Sequence, residues 1–95
     1  MFKGLDPILH SELRLAIMSL LLSIQEADFM YILEQTKSTG GNLSIQIEKL
    51  SKVGYIAVSK TFKNKRPCTI CKITPIGIKA FEEYVIAIKT YIEKN

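Results

Sequence analysis

Apolar residues recur at three- and four-residue spacing over the first quarter of the chain, which is the period of one helical face. Asp6-Pro7 has the residue types that begin a helix, because Asp caps free N–H groups and Pro suits the first helical position. The pattern predicts a first helix over about 7–24. Its apolar face is wider than that of an ordinary surface helix, since a second stripe lies beside the first. The two stripes are Leu9, Leu13, Ala16, Ile17, Leu20, Leu21 and Ile24, and Leu15, Met18 and Leu22.

Two shorter amphipathic segments follow. The first spans about 28–36, with Asp28 as its candidate cap. After a turn at 37–40, a third helix is predicted over about 40–53, and Gly54 ends it because glycine adopts the left-handed conformation at a helix C-terminus. Two such helices joined by a short glycine-containing turn are typical of a helix-turn-helix. The predicted buried positions are Phe29, Ile32 and Leu33 in the second helix and Leu43, Ile47 and Leu50 in the third.

After the third helix the pattern changes to β-branched and aromatic runs at 55–62 and 69–74, separated by the polar segment 63–68. These features predict a β-hairpin with a charged tip. A Thr-Pro pair then begins a fourth helix, predicted over about 75–93. The order of three helices, hairpin and long helix predicts an α+β, mostly α fold with a single domain over 1–95. The winged helix-turn-helix is the commonest fold with that order.

The net charge of +4 is concentrated in one part of the chain. Residues 49–72 contain seven basic side chains and no acidic one, whereas the remainder has more acidic than basic residues. Such an asymmetry is expected for a surface that binds a polyanion. A solvated surface that merely happens to be basic is the alternative that charge alone leaves open. The seven residues are Lys49, Lys52, Lys60, Lys63, Lys65, Arg66 and Lys72.

The polar face of the third helix is a candidate for contact with DNA, because an α-helix fits the major groove. Asn42 and Gln46 carry amides that can bond an adenine edge in bidentate fashion, and Ile45 can contact a thymine methyl group. An ordinary solvated helix face is the alternative. Phosphates are the predicted partners of Thr39, Gly41, Ser44, Lys49 and Lys52, through hydroxyls, backbone N–H groups or charge.

Lys63, Lys65 and Arg66 lie at the tip of the predicted hairpin, where apolar packing does not require them. Such a tip can reach the minor groove beside the helix, where arginine is attracted to narrow, A/T-rich DNA. An edge hairpin that its lysines protect from aggregation is the alternative. Because the basic tip follows the basic helix without an intervening acidic residue, we favour DNA binding.

Four segments look like motifs of a known family, G-N-L-S-x-H-L-x-x-L, G-Y-I, R-P-x-T and L-T-x-x-G. The chain thereby resembles the small bacterial and archaeal winged-helix regulators of the MarR and ArsR types, over about 5–91. The resemblance implies a homodimeric transcriptional regulator that binds a palindromic operator in double-stranded DNA. Gln46 stands where the family often has histidine, and Cys68 interrupts a wing that is usually more basic. The matching segments are 39–50, 53–56, 66–69 and 73–77.

The fourth helix has two apolar seams at heptad-like spacing. One seam can cover the body of its own subunit, whereas the other, with the wide face of the first helix, would be left in water in a monomer. A two-fold dimer through both helices removes that surface from water and separates the two third helices by about 34 Å, one DNA turn. Packing of both seams within one subunit is the alternative. The predicted dimerisation residues are Leu9, Leu13, Ile17, Phe81, Tyr84, Val85, Ile88, Tyr91 and Ile92.

Cys68 and Cys71 form the one motif that suggests a reactive site. Zinc needs four ligands, and His10, the sole histidine, lies on a different element. Residues three apart on a strand face opposite sides, which suits neither chelation nor a disulfide. We therefore expect no metal and no cofactor, with a redox or metal sensor as the alternative.

The sequence contains no phosphate-binding glycine loop and no nucleophile–base pair, so we expect no enzymatic activity. It has no signal peptide and no apolar run of membrane length, so we expect a soluble, cytoplasmic protein without a membrane partner. The main hypothesis is a sequence-specific regulator. A winged-helix module for an acidic protein partner and a non-specific, chromatin-type DNA binder are the alternatives. The sequence indicates neither an effector nor the operator.

Overall fold

The computed structural model describes residues 4–93, which form four helices and a three-stranded antiparallel sheet with strand order β1-β3-β2. This architecture confirms the predicted mostly α winged helix-turn-helix. No helix within residues 4–93 has the length and apolarity needed to cross a membrane. The elements in chain order are α1 (Glu12–Ile24), β1 (Glu26–Asp28), α2 (Phe29–Thr36), α3 (Gly40–Lys52), β2 (Ile56–Lys63), β3 (Arg66–Ile73) and α4 (Pro75–Glu93).

The first helix begins later than predicted. Asp6 and Pro7 belong to a separate turn, in which Asp6 Oδ1 accepts from the backbone N–H of Ile8 at 2.9 Å. The chain then extends at Ser11, whose hydroxyl accepts from the N–H of Arg14 at 3.4 Å and caps α1. Two capping signals therefore lie within six residues, and only the second begins the helix.

The short strand β1 was not predicted. Its three residues, Glu26–Asp28, pair antiparallel with β3, with Ala27 opposite Cys71. A run of three residues with two acids carries neither the length nor the alternation that identifies a strand. Asp28 also caps α2 as predicted, because its Oδ1 accepts from the N–H of Tyr31 at 2.8 Å.

The helix-turn-helix forms as the pattern predicts. Lys37 takes a left-handed conformation and closes α2, and Thr39 Oγ1 caps α3 by accepting from the N–H of Asn42 at 3.2 Å. Gly54 has a φ of +79° beyond the end of α3, which confirms its predicted role. The predicted inner residues of α3, Leu43, Ile47 and Leu50, are all buried.

The hairpin is longer and its turn tighter than predicted. Lys63 and Arg66 are paired strand residues, and only Asn64-Lys65 forms the turn, with φ values of 54° and 65°. Two successive positive φ angles are those of a two-residue turn that matches the twist of the strands. The predicted six-residue loop at 63–68 is therefore wrong, because β3 begins at Arg66.

The first turn of α4 is fastened to the end of α3. Thr74 Oγ1 donates to the carbonyl of Gly54 at 2.6 Å and accepts from the N–H of Gly77 at 3.0 Å. A Cβ on Gly77 would lie 2.1 Å from the carbonyl oxygen of Tyr55, so only glycine permits this approach. The core beneath these contacts contains Leu9, Ile17, Met18, Leu21, Ile32, Leu43, Ile47, Leu50, Ile56, Cys71, Ile73 and Tyr84.

Candidate nucleic-acid interface

The outer face of α3 is exposed at nearly every position predicted to contact DNA. Ile45 is the apolar member of this face, with 55% of its surface exposed, and Gln46 differs from the others because it is half-buried. The N-terminus of α3 is open as well, since nothing lies within 4 Å of a Cβ built on Gly41. The exposed residues on or next to this face are Thr39, Gly41, Asn42, Ser44, Ile45, Lys49 and Lys52.

Gln46 is held by a neighbour that sequence analysis did not identify. Its Oε1 accepts from Nη1 of Arg14 on α1, and its Nε2 donates to Oδ1 of Asn42 at 2.9 Å. Arg14 and Gln46 are 32 residues apart, so their contact arises from the packing of α1 against α3. No periodicity in the sequence identifies such a pair.

The basic charge of α3 is partly offset. Lys52 Nζ lies 3.6 Å from Glu48 Oε1, four residues earlier on the helix. Both side chains are largely exposed, so this pair contributes little to stability. Of the two lysines of α3, Lys49 is therefore the one that forms no ion pair with another described residue.

Two basic side chains of the hairpin, Lys63 and Arg66, lie directly opposite each other across the strands. Residues 61–67 are all exposed, and no ion pair within the described chain includes this pair or Lys65 at the turn. Like charges directly opposite each other are destabilising. A polyanion bound at the hairpin would relieve that repulsion.

Sequence analysis also missed the inner face of the hairpin. Strand residues alternate sides, so the buried Ile56 shares its face with Lys60 and with Phe62, which is 75% exposed. A groove of about 520 Å³ separates this face from α3. The alternation of side chains along the strand could have revealed this face, because Lys60 and the exposed Phe62 lie on the same side of β2 as the core residue Ile56. The groove is lined by Phe29, Ser44, Ile47, Glu48, Ser51, Lys52, Val58, Lys60 and Thr69.

The two cysteines lie on opposite faces of β3. Cys71 is fully buried, and this burial raises the pKa of its thiol to about 11. Cys68 is half-buried, and both thiols are free. Within residues 4–93, no three His, Cys, Asp or Glu side chains are grouped so that they could hold a metal ion.

The predicted dimerisation residues separate into two groups. Leu9, Ile17 and Tyr84 are buried inside the single chain, so the structure corrects their assignment and places them in the core. The reason is that the 7–11 segment folds back and α4 packs on α1, which the two-seam pattern did not resolve. The others remain half-buried or exposed at the surface: Leu13, Phe81, Val85, Ile88, Tyr91 and Ile92.

An apolar groove of about 680 Å³ runs between α1 and α4. We call it the α1–α4 groove. Val85 and Ile92 in it are 37% and 67% exposed. The groove is lined by Glu12, Leu15, Ala16, Ser19, Phe81, Tyr84, Val85, Ile88, Lys89 and Ile92.

A helix-turn-helix whose second helix is exposed, followed by a basic antiparallel hairpin, defines a winged-helix domain of the DNA-binding class. The chain belongs to the winged helix DNA-binding domain family, whose model matches residues 13–92. It is 35% identical over 81 residues to an uncharacterized protein of Methanocaldococcus jannaschii, with 85% of this chain and 88% of that protein covered.

Solved structures agree with this assignment. A transcriptional regulator homologue from Pyrococcus horikoshii is similar with a TM-score of 0.85 at 31% identity, covering 92% of this chain and 86% of that one. YusO of Bacillus subtilis has a TM-score of 0.79 at 18% identity, covering 88% of this chain and 59% of that one, and shows the fold alone. These similarities confirm the predicted resemblance to winged-helix regulators. The chain therefore contains a winged helix DNA-binding domain, and its fold is that of a solved transcriptional regulator homologue.

Proposed function

We propose that this chain is a sequence-specific transcriptional regulator that acts as a homodimer on a palindromic operator. The observation that carries the proposal is the position of the acid-free basic segment 49–72. It begins on the exposed face of α3 and continues through the exposed hairpin, and residues of α3 and of the hairpin line a common groove. No catalytic step is part of this proposal. Because a transcriptional regulator must reach the chromosome, the proposal includes a cytoplasmic location.

The two elements have different tasks in this proposal. Asn42 and Ile45 lie exposed near the start of α3, where a helix in the major groove meets base edges. Lys63, Lys65 and Arg66 bring charge to the adjacent minor groove or its phosphates. Gln46, predicted as a base-contacting residue, is half-buried beneath Asn42, and its role in the proposal is to support that neighbour. Backbone phosphates are the proposed partners of Thr39, Gly41, Ser44, Lys49 and Lys52.

The dimer in this proposal forms through the α1–α4 groove. The groove is lined mostly by apolar side chains, and this apolar surface would be left in water in a monomer. Four residues of the groove lining would meet a second copy: Phe81, Val85, Ile88 and Ile92. Leu13 and Tyr91, which are not part of that lining, are the further proposed contacts. Two copies related by a two-fold axis require an inverted repeat in the DNA.

Selection from a random DNA library, followed by affinity measurements on selected and random duplexes, tests the function. We expect an inverted repeat whose half-sites are about one helical turn apart, bound about 10³-fold or more tightly than random DNA. Equal affinity for both duplexes would instead identify a non-specific binder. Absence of binding even at low salt would favour an acidic protein partner and contradict the proposal.

A further inference from the structure

A continuous chain of hydrogen bonds connects the segment before α1 to the exposed face of α3. Arg14 Nε donates to the carbonyl of Ile8 at 2.5 Å, while its Nη1 donates to Oε1 of Gln46. Gln46 Nε2 in turn donates to Oδ1 of Asn42 at 2.9 Å. Arg14 and Gln46 are half-buried, whereas Asn42 is exposed, so the chain ends at the surface proposed to meet DNA.

The chemistry of arginine sets the direction of every bond in this chain. A guanidinium has donors and no acceptor, so the Gln46 atom that faces it must be the oxygen. The amide nitrogen of Gln46 then faces Asn42, and the Asn42 atom that receives it must also be an oxygen. The two N–H donors of Asn42 are therefore turned away from Gln46, and the side chain that carries them is exposed.

This polarity changes the base that Asn42 suits. A bidentate contact to adenine needs both the oxygen and the nitrogen of one amide, because adenine presents N7 as an acceptor and its amino group as a donor. Guanine presents two acceptors, N7 and O6, and an amide that offers its NH₂ group matches them. With Oδ1 already engaged by Gln46, Asn42 is better prepared for guanine than for adenine.

We propose that Arg14 is a positioning residue that fixes the polarity of the Gln46–Asn42 amide pair and thereby makes the exposed end of α3 select guanine over adenine. The inference rests on the proposed function, because it requires α3 to lie in the major groove. Arg14 itself contacts no base. It acts through Gln46, from a different helix.

Base preference is the measurement that separates this role from a purely structural one. Selection with the full chain and with Asn42→Ala first identifies the base pair that Asn42 meets. At that pair we expect the unmodified chain to prefer guanine over adenine about fivefold or more, in line with a side-chain contact to a base edge. Arg14→Met should reduce this ratio to below about twofold, because the amide pair is then free to reverse.

Gln46→Glu provides a second, nearly isosteric variant. A carboxylate accepts from Arg14 and from the Asn42 amide but donates to neither, so it should turn Asn42 Oδ1 outward. We expect the preference to move from guanine toward bases with an amino donor, adenine or cytosine. Lys79→Met, which removes one positive charge on α4, is the control and should retain the guanine preference. Arg14→Lys, which also has donors only, should restore it relative to Arg14→Met.

The outcomes are distinguishable from those of the proposed function. Failure of the unmodified chain to select any DNA sequence would overturn the proposed function and this inference with it. Normal selection by the unmodified chain, with the same guanine preference in Arg14→Met and Gln46→Glu, would overturn the inference alone. An adenine preference at the Asn42 position of the unmodified chain would do the same. Thermal melts of each variant check that it is folded. If Arg14→Met is not folded, the base preference of Gln46→Glu tests the inference instead.

Discussion

Tyr55 shows how a single side chain connects two segments of this small domain that are far apart in sequence. Its hydroxyl donates to Oδ2 of Asp6 at 2.5 Å, and the hydrogen bond joins the turn before α1 to the segment between α3 and β2. The bond to the Asp6 carboxylate is the main reason that the pKa of Tyr55 rises from 10.0 to about 12, with burial and the charges of Asp6 and Glu83 adding to it. The protonated hydroxyl is therefore part of the folded state.

The pKa of Tyr55 makes stability depend on pH in the alkaline range. Because the pKa is higher in the folded than in the unfolded chain, the stabilisation is complete below pH 10 and is lost as the pH rises to about 12. Thermal melts should therefore show a steeper fall in melting temperature across this range for the unmodified chain than for Tyr55→Phe. Tyr31→Phe, on the exposed side of α2, is the control. Parallel profiles for the unmodified chain and Tyr55→Phe would contradict this account.

At the scale of elements, several local signals in the sequence predicted the structure correctly. The stripe Leu43, Ile47 and Leu50 identified the inner face of α3, and Asp28 and Gly54 marked helix ends correctly. Each of these signals depends on neighbours a few residues away, so periodicity and capping chemistry reveal it.

Several of the failures have a common physical cause, which is dependence on distant residues. Strand β1 exists because β3 offers it a partner, and its own three residues contain no alternation. The contact of Arg14 with Gln46 requires two helices to meet. The burial of Leu9 and Tyr84 depends on how the N-terminal turn and α4 close over α1. In the hairpin, Asn64-Lys65 lacks the glycine that usually identifies a two-residue turn, so the loop was predicted too long.

The α1–α4 groove is an element-scale feature that can be tested by charge insertion. We expect the unmodified chain to sediment as a dimer at micromolar concentration and Val85→Lys to sediment as a monomer, because an unpaired charge in an apolar contact costs several kcal/mol. Ile76→Lys is the matched control, since Ile76 lies on the same helix, is 62% exposed and does not line the groove. A monomeric unmodified chain, or a dimeric Val85→Lys, would contradict the proposed interface.

At the scale of the whole molecule, charge and apolar surface are segregated. The basic residues of 49–72 lie on α3 and the hairpin, whereas the apolar α1–α4 groove lies on the other pair of helices. This separation allows one surface to bind DNA while the other binds a second copy. The hydrogen-bond chain from Arg14 to Asn42 joins α1, one of the two helices of the groove, to α3.

The central claim is that α3 and the hairpin bind DNA together as one surface, and the salt dependence of affinity tests it most directly. On a selected duplex, Lys49→Gln and Arg66→Gln should each flatten the slope of log affinity against log salt by about 1.8, and together by about 3.6, because the proposed dimer contains two copies of each residue and each lost phosphate contact accounts for about 0.9. Lys79→Gln, which removes the same charge from α4, should leave the slope unchanged. An unchanged slope in the double variant, or equal flattening by Lys79→Gln, would contradict the account.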